Sequence, residues 1–210
     1  MKTVAKIAES VGKRERTKAA NREAILVAAR RVFARLGLDA TTVRDIIRET
    51  DLAAGTFYNY FRSKEEVFQA LADEGTKRFR PRLQTVRAQA RNFEEYIRVA
   101  YGEYFAWVKE ENEDAIRDGA PHSAMIGVRV DTPEMKAIFD EIRSDLESVA
   151  EITNVTLSDP EYFTAAAIGI AREVGDHMLQ RRPVDADKAA EFATRLVLQG
   201  GLALTGQKQS

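Results

Sequence analysis

The chain has 210 residues, of which 44% are hydrophobic and 31% charged, with a formal net charge of -1 and no cysteine. The lack of cysteine excludes disulfides, thiolate metal sites and cysteine nucleophiles. The apolar runs are far too short to span a bilayer, and residues 1–20 lack the apolar core of a signal peptide. We therefore expect a soluble, cytoplasmic protein with no membrane partner.

Charge is distributed unevenly along the chain. Residues 1–65 contain 14 Lys and Arg against 8 Asp and Glu, whereas residues 66–210 contain 18 against 25. A basic head on an acidic body is typical of a protein that places one end on a polyanion. Uneven surface charge without a partner is the alternative.

The first twenty residues predict a basic, flexible N-terminal arm, because they show little hydrophobic periodicity. Their cations are Lys2, Lys6, Lys13, Arg14, Arg16 and Lys18. Such an arm can follow DNA phosphates or enter the minor groove. A disordered, solubilising tail explains the same composition.

Residues 41–61 predict two short helices joined by a tight turn, the pattern of a helix-turn-helix. Thr42 can cap the first helix, with Asp45 completing a capping box. Asp51 stands where the turn calls for a left-handed backbone. Gly55, early in the second helix, leaves room for close approach to a phosphate. A hairpin that serves only packing is the alternative from periodicity alone.

Residues 21–71 resemble the DNA-binding region of the TetR family (tetracycline-repressor-like regulators). The family's first helix and the glycine that ends it are matched here by Ala24-Ile25-Leu26, Arg31-Val32-Phe33 and Gly37. The family's second helix is matched by Thr41-Thr42-Val43-Arg44-Asp45-Ile46. The family's recognition helix is matched by Gly55-Thr56-Phe57-Tyr58-Asn59-Tyr60-Phe61. The start of its fourth helix is matched by Ser63-Lys64-Glu65.

Four positions depart from the family pattern. This chain has Ile47 where the family has a small Ala, and Asp51 where the family has a turn Gly. It has Ala53 in place of a Ser or Thr, and Tyr60 where the family often has His. Ala53 removes a helix cap, a loss of about 1 kcal/mol. Operator preferences therefore do not carry over from relatives.

The resemblance implies a regulator that binds a palindromic operator on double-stranded DNA as a homodimer. Thr42, Tyr58, Tyr60 and Lys64 are expected at phosphates, and Arg44, Ala54, Thr56 and Asn59 at or beside bases. Ala53 and Gly55 complete the candidate DNA-binding set. Arg44 is the candidate for bidentate reading of guanine.

The remainder of the chain predicts helices with no competing strand pattern. One helix opens at Ser63 and runs to about Arg80, and Pro81 begins a short further piece. Capping signals at Asn92, Thr132 and Asp159 open three long helices. Residues 112–123 are predicted as a loop, and a last helix spans 186–198, closed by Gly200 and Gly201.

The predicted fold is all-α, with about nine helices. It comprises an arm (1–20), a three-helix DNA-binding domain with the helix-turn-helix (21–62), a helical regulatory and dimerisation domain (63–204) and a polar tail (205–210). The resemblance places the dimer interface on the last two long helices. Its candidate residues are Ala166, Gly169, Ile170, Val174, Phe192 and Leu196. Packing of the small residues inside one subunit is the alternative.

An aromatic stripe predicts a sensing cavity for a small, mostly apolar effector. The candidate ligand-binding residues are Tyr101, Tyr104, Phe105, Trp107, Met125, Phe139, Phe163 and His177. Residues at helical spacing are often plain core, so the prediction depends on the several polar tips among them, which need partners when buried.

The sequence predicts neither an enzyme nor a cofactor. Its two histidines, His122 and His177, are isolated, and no metal-binding spacing, phosphate loop or nucleophile elbow is present. The sequence therefore favours a ligand-responsive transcriptional repressor. A sequence-tolerant architectural DNA-binding protein without an effector is the alternative.

Overall fold

The computed structural model describes the backbone of residues 2–117 and 131–204, and the side chains of residue 12 and of residues 14–117 and 131–200. The chain divides into two compact units, Met1–Leu71 and Ala72–Ser210. Within the described residues there are nine helices and no strand, which confirms the all-helical prediction. They are α1 (Lys2–Ala40), α2 (Val43–Arg48), α3 (Ala54–Phe57), α4 (Lys64–Gln89), α5 (Phe93–Glu111), α6 (Glu113–Arg117), α7 (Pro133–Ile152), α8 (Pro160–Gln180) and α9 (Ala186–Leu204).

Helix α1 begins at Lys2 and runs through the first twenty residues, where the sequence predicts a flexible arm without helical periodicity. Residues 1–20 contain no proline and a single glycine, Gly12, among many Ala, Lys, Arg and Glu, which are strong helix formers. The helical backbone breaks at Gly37, with φ 76° and ψ 167°. Glycine adopts this conformation without a side-chain clash, so the predicted stop at Gly37 is confirmed.

The core of the first unit lies between α1 and the three short segments that follow it. Its fully buried side chains include Ile25, Val32 and Phe33 from α1, Ile46 from α2, Phe57 from α3, and Val67 and Phe68 from α4. Phe33 and Phe68 meet edge to face with ring centroids 5.5 Å apart. These aromatic rings and the aliphatic side chains around them bury the apolar area that holds the helix-turn-helix in place.

Helix α5 is the centre of the second unit. It buries Phe93, Tyr96, Ile97, Tyr101, Phe105 and Val108 against α7, α8 and α9. Helix α4 is continuous from Lys64 to Gln89 with Pro81 inside it, so the predicted break at Pro81 is wrong. Phe79 and Leu83, one turn apart across the proline, are both buried, and this packing offsets the missing backbone hydrogen bond.

The helix starts were predicted better than the helix ends. Asn92, Thr132 and Asp159 each accept a hydrogen bond from the backbone N–H three residues later, as predicted. Helix α9 continues to Leu204, so Gly200 and Gly201 lie within it and do not close it. The predicted loop at 112–123 contains the short helix α6, and its residues 118–123, like the tail 205–210, lie outside the described residues.

Candidate DNA-binding surface and effector core

The start of α2 is fixed by the predicted capping box. Thr42 Oγ1 accepts from the backbone N–H of Asp45 across 3.2 Å, and the Asp45 carboxylate accepts from the Thr42 N–H across 2.9 Å. The Thr42 hydroxyl also donates to that carboxylate across 2.6 Å. These bonds hold the pKa of Asp45 below its ordinary value. Because the hydroxyl proton of Thr42 is already engaged, its predicted phosphate contact would compete with the cap.

The turn between α2 and α3 differs from the prediction at Asp51. Among the described non-glycine residues only Asn154 has a positive φ, so Asp51 does not adopt the left-handed conformation. Thr50 shapes the turn instead: its hydroxyl donates to the Ile47 carbonyl and accepts from the Leu52 N–H. As predicted, Ala53 precedes α3 without a side-chain cap.

Two buried aromatic side chains anchor the recognition helix, which is α3 and the turn that follows it. Phe57 is fully buried and Phe61 nearly so, with ring centroids 6.0 Å apart. The guanidinium of Arg22 on α1 lies over the Phe61 ring, 5.4 Å from its centroid, a cation–π contact. Backbone bonds from the N–H groups of residues 59, 60 and 61 continue the helical turn past the end of α3.

Opposite these anchors, most of the predicted DNA-binding residues form an exposed face. Arg44, Ala53, Ala54, Gly55, Tyr58 and Asn59 are exposed, and Thr56 and Tyr60 are half-buried. A Cβ built on Gly55 has no atom within 4 Å, so this backbone is open to close approach from outside. The fold therefore presents the predicted residues where a DNA duplex can reach them, and their individual contacts remain predictions.

Lys64 differs from the others in the predicted set. Its ammonium donates three hydrogen bonds, to the carbonyls of Leu38 at 2.8 Å, Asp39 at 3.0 Å and Thr41 at 2.8 Å. A lysine ammonium has three donors, so all are used. The structure does not support the predicted phosphate contact, because a phosphate would have to displace a carbonyl. Sequence spacing gave no signal for this role, since the partners lie 23 to 26 residues away.

Helices α8 and α9 carry the predicted dimer surface. Phe192 is 58% exposed and Leu196 47% exposed, one turn apart on α9. On α8, Ala166 is exposed and Gly169 is half-buried with open space where a Cβ would stand. Ile170 and Val174 are half-buried against the core of their own chain. This face is apolar and unpaired within one chain, and its role in dimerisation remains a prediction.

The small residues of α8 divide between two faces. Ala167, Ala171 and Gly175 are buried at intervals of four residues, so for them packing inside one subunit is the correct explanation. Ala165, Ala166 and Gly169 lie outside that buried row. Packing inside one subunit therefore explains the inner row, and the outer small residues remain candidates for the dimer interface.

The predicted effector residues on α5 are packed aromatic core. Phe105 is fully buried, and the Tyr101 hydroxyl donates to the Ala167 carbonyl across 3.0 Å. Tyr104 and Trp107 pack against Phe79 of α4, with centroids 5.6 Å and 5.1 Å from its ring. Burial raises the pKa of Tyr104, and the positive charge of Arg172 on α8 partly opposes this.

Trp107 has an unsatisfied donor. Its Nε1 is buried without a hydrogen-bond partner in the described part of the chain, as is the Nε of Arg172. The indole ring lies over Gly75 of α4, where a Cβ would stand 3.7 Å from the ring. Both nitrogens can only donate, so they favour an acceptor atom. The contact of Gly75 with Trp107 and the position of Arg172 near Tyr104 were not predicted, because no sequence pattern relates α4 and α8 to these side chains.

The remaining candidate effector residues do not join this cluster. Phe163 packs on Phe93, with centroids 5.7 Å apart. Phe139 is half-buried, and His177 is exposed on α8, which argues against its predicted place in a cavity. Met125 lies outside the described residues. Across the ranges that are described, no three His, Asp or Glu side chains converge on a possible metal position.

Comparison with known proteins matches the first unit to a family. Residues 25–71 match the family described as bacterial regulatory proteins, tetR family. Over 60 residues the chain is 43% identical to an HTH-type transcriptional repressor of Mycobacterium tuberculosis, covering 29% of this chain and 32% of the relative. It is 33% identical over 93 residues to the HTH-type transcriptional repressor ComR of Escherichia coli, covering 44% and 43%. The matched stretches thus span less than half the length of these curated relatives.

Solved structures extend the likeness to most of the chain. The fatty acid degradation regulator FadR of Bacillus halodurans matches 85% of this chain and 95% of its own, with a TM-score of 0.66 at 20% identity. FadR of Bacillus subtilis, solved in complex with stearoyl-CoA, covers 85% and 98% with a TM-score of 0.66 at 16% identity. At these identities the likeness establishes the fold. No helix in the described ranges is long and apolar enough to cross a membrane.

Proposed function

Because the chain belongs to the tetR family of bacterial regulatory proteins, we propose that it is a transcriptional repressor released from DNA by a small, mostly apolar effector. It binds a palindromic operator as a dimer, since one recognition helix contacts only a few base pairs and two half-sites one helical turn apart supply affinity. Cytoplasmic location follows from this function.

The observation that carries the proposal is the exposed face opposite Phe57 and Phe61. Two buried rings hold the recognition helix, and the exposed side of the helix-turn-helix offers the guanidinium of Arg44 on α2, the hydroxyl of Tyr58 and the amide of Asn59. These groups match the donors and acceptors of base edges and phosphates in a major groove. Relatives named as transcriptional repressors over the same stretch support the same use.

The test is selection of DNA fragments from the organism's own genome, followed by footprinting. A repressor protects a short palindrome, and sedimentation of the complex gives an even number of chains on it. Protection that spreads along any duplex with no preferred sequence would support the architectural alternative. Absence of binding to every duplex would overturn the proposed function.

The effector is proposed to bind at Trp107 and Tyr104. Trp107 Nε1 is a buried donor without an acceptor in the described part of the chain, and its ring packs on Phe79 and Tyr104. Arg172, whose Nε is a second such donor, acts through its charge on Tyr104. These groups support a molecule with a large apolar part and a few acceptor oxygens. Helix α4 contains Lys64 at its first residue and Phe79 in this cluster. Displacement of α4 would couple effector binding to operator release, and about 3 kcal/mol of coupling corresponds to a roughly hundredfold loss of affinity.

Stearoyl-CoA is a suitable first probe, because the similar FadR of Bacillus subtilis was solved with it. Trp107 is the only tryptophan of the chain, so its emission reports this cluster alone. We expect stearoyl-CoA to change Trp107 emission and to release labelled operator over the same concentration range, while coenzyme A alone does neither. Release without any change in emission would place the effector elsewhere.

A further inference from the structure

We propose that the N-terminal part of α1 is a second DNA-binding element, in which Arg14 and Lys18 contact backbone phosphates beside the recognition helix. The inference extends the proposed function and depends on it. It assigns these contacts to a helix, since α1 is helical from Lys2, where the sequence predicts a flexible arm.

The spacing of the two cations places them on the same side of the helix. Residues four apart are neighbours on a helix surface, and Arg14 and Lys18 are both exposed. Neither has an ion-pair partner among the described residues. By contrast, Arg16 between them donates through Nε to the Gly12 carbonyl across 3.1 Å. The helix therefore fixes two available positive charges on one face.

That face borders the end of the recognition helix. Arg14, Glu15, Thr17 and Lys18 form one wall of an open groove of about 650 Å³, and Asn59 and Tyr60 form the other. The side-chain amide of Asn59 and the hydroxyl of Tyr60 are donors that suit phosphate oxygens. A groove that combines two cations and two neutral donors next to a recognition helix fits the sugar-phosphate backbone that flanks the bases being read.

The anchoring of this element is local to the first unit. Further along α1, Arg22 lies on the Phe61 ring, and Ile25 and Leu26 are buried in the core. Phe61 also packs on Phe57 of the recognition helix. The same ring therefore contacts both α1 and the recognition helix. The single acidic group in the groove, Glu15, reduces its positive charge but leaves a net charge of plus one from the three ionised side chains.

The first test compares the salt dependence of DNA binding. Each phosphate contact contributes about 0.9 to the slope of log affinity against log salt concentration. The double variant Arg14→Gln/Lys18→Gln should flatten this slope by about two units, equally on operator and on unrelated duplex, because phosphate contacts carry no sequence information. The control Lys109→Gln/Lys188→Gln removes the same charge from exposed positions of the second unit and should leave the slope unchanged.

A second pair of variants tests whether the helix is needed. Glu15→Pro retains both cations but breaks α1 between them, whereas Glu15→Ala removes the same charge and retains the helix. Glu15→Pro should flatten the slope by about one unit, because Arg14 loses its place while Lys18 stays in the helix that continues after the proline, and Glu15→Ala should not flatten it. Equal slopes for the two would show a flexible arm and overturn the proposal, as would an unchanged slope in the double variant. Failure of the wild-type protein to bind any duplex would instead overturn the proposed function.

Discussion

Lys64 Nζ lies 2.8 Å from the carbonyl oxygen of Leu38, at the point where α1 ends. Leu38 follows Gly37, whose positive φ breaks the helix, and its carbonyl accepts from the backbone N–H of Thr41, beyond α1, across 3.3 Å. The last carbonyls of a helix carry a partial negative charge, which a cation stabilises. Lys64 therefore closes α1 from the first turn of α4 and ties the two helices together around the helix-turn-helix.

We expect Lys64→Met to lower the free energy of unfolding by about 1–3 kcal/mol, because the carbonyls of Leu38, Asp39 and Thr41 lose a charged donor. The salt slope of DNA binding should stay unchanged, since no phosphate contact is lost. Chemical denaturation and binding titrations at several salt concentrations measure both quantities. A slope flatter by one unit with unchanged stability would restore the phosphate contact suggested by the sequence.

Arg44 should determine base preference. It is exposed at the second residue of α2, and a bidentate contact with guanine is worth about 1–3 kcal/mol of discrimination. We expect Arg44→Ala to weaken operator binding by this amount and to equalise binding to single-base variants of the operator. Anisotropy titrations with operator and unrelated duplex measure the difference. An equal loss on both duplexes would assign Arg44 to a phosphate.

The sequence predicted those parts of the fold that depend on neighbouring residues. The caps at Thr42, Asn92 and Thr132 were predictable because a side chain and the N–H it accepts from are three residues apart. These features need no knowledge of the rest of the chain.

The failures all involve distant partners. Pro81 did not end α4, because Phe79 and Leu83 are held by other helices. The N-terminal residues showed no apolar stripe, so their helicity was missed although their composition favours it. Lys64 was assigned by family pattern to DNA, and its contacts with the end of α1 are invisible to spacing. Trp107 was predicted as a ligand-binding residue, but its packing on Gly75 was not predicted.

Gly169 provides a direct test of the dimer interface. A side chain at this position meets no atom of its own chain within 4 Å of its Cβ, and the same holds for Gly102 on α5. We expect Gly169→Glu to yield monomers at micromolar concentration in sedimentation and to abolish operator binding, with helicity retained. Gly102→Glu, the matched control, should remain dimeric. A dimeric Gly169→Glu protein would remove this part of α8 from the interface.

Asp45 should make the helix-turn-helix sensitive to acid. Its pKa is lowered by the hydrogen bonds from Thr42, so its contribution to stability is complete above the ordinary value of 3.8 and is lost as the pH falls through the lower folded value. We expect Asp45→Asn to be less stable than the wild type at neutral pH, with a difference that shrinks below pH 3.8. Urea unfolding of both proteins across this range measures it. A constant difference would mean that the charge of Asp45 is not involved.

Substitution of Arg87 and substitution of Asp145 should lower the free energy of unfolding by unequal amounts. Asp145 on α7 is only 3% exposed; it pairs with Arg87 of α4 and accepts from the Tyr96 hydroxyl across 3.4 Å. Burial raises the pKa of Tyr96 to about 12, so this hydroxyl stays protonated and remains a donor at neutral pH. The Arg87 side chain is 51% exposed, whereas that of Asp145 is 4% exposed.

Removing the cation leaves a buried carboxylate with one weak partner, whereas removing the charge of the carboxylate leaves an arginine that water can solvate. Breaking a buried pair costs about 3–5 kcal/mol, and the exposure of Arg87 places Arg87→Met near the lower end of that range. Asp145→Asn should cost less, about 1 kcal/mol, because its amide oxygen can still accept from Tyr96. Denaturation of both variants at neutral pH gives the two values. Equal losses would mean that the charge of Arg87 and the charge of Asp145 contribute alike, as in a surface ion pair.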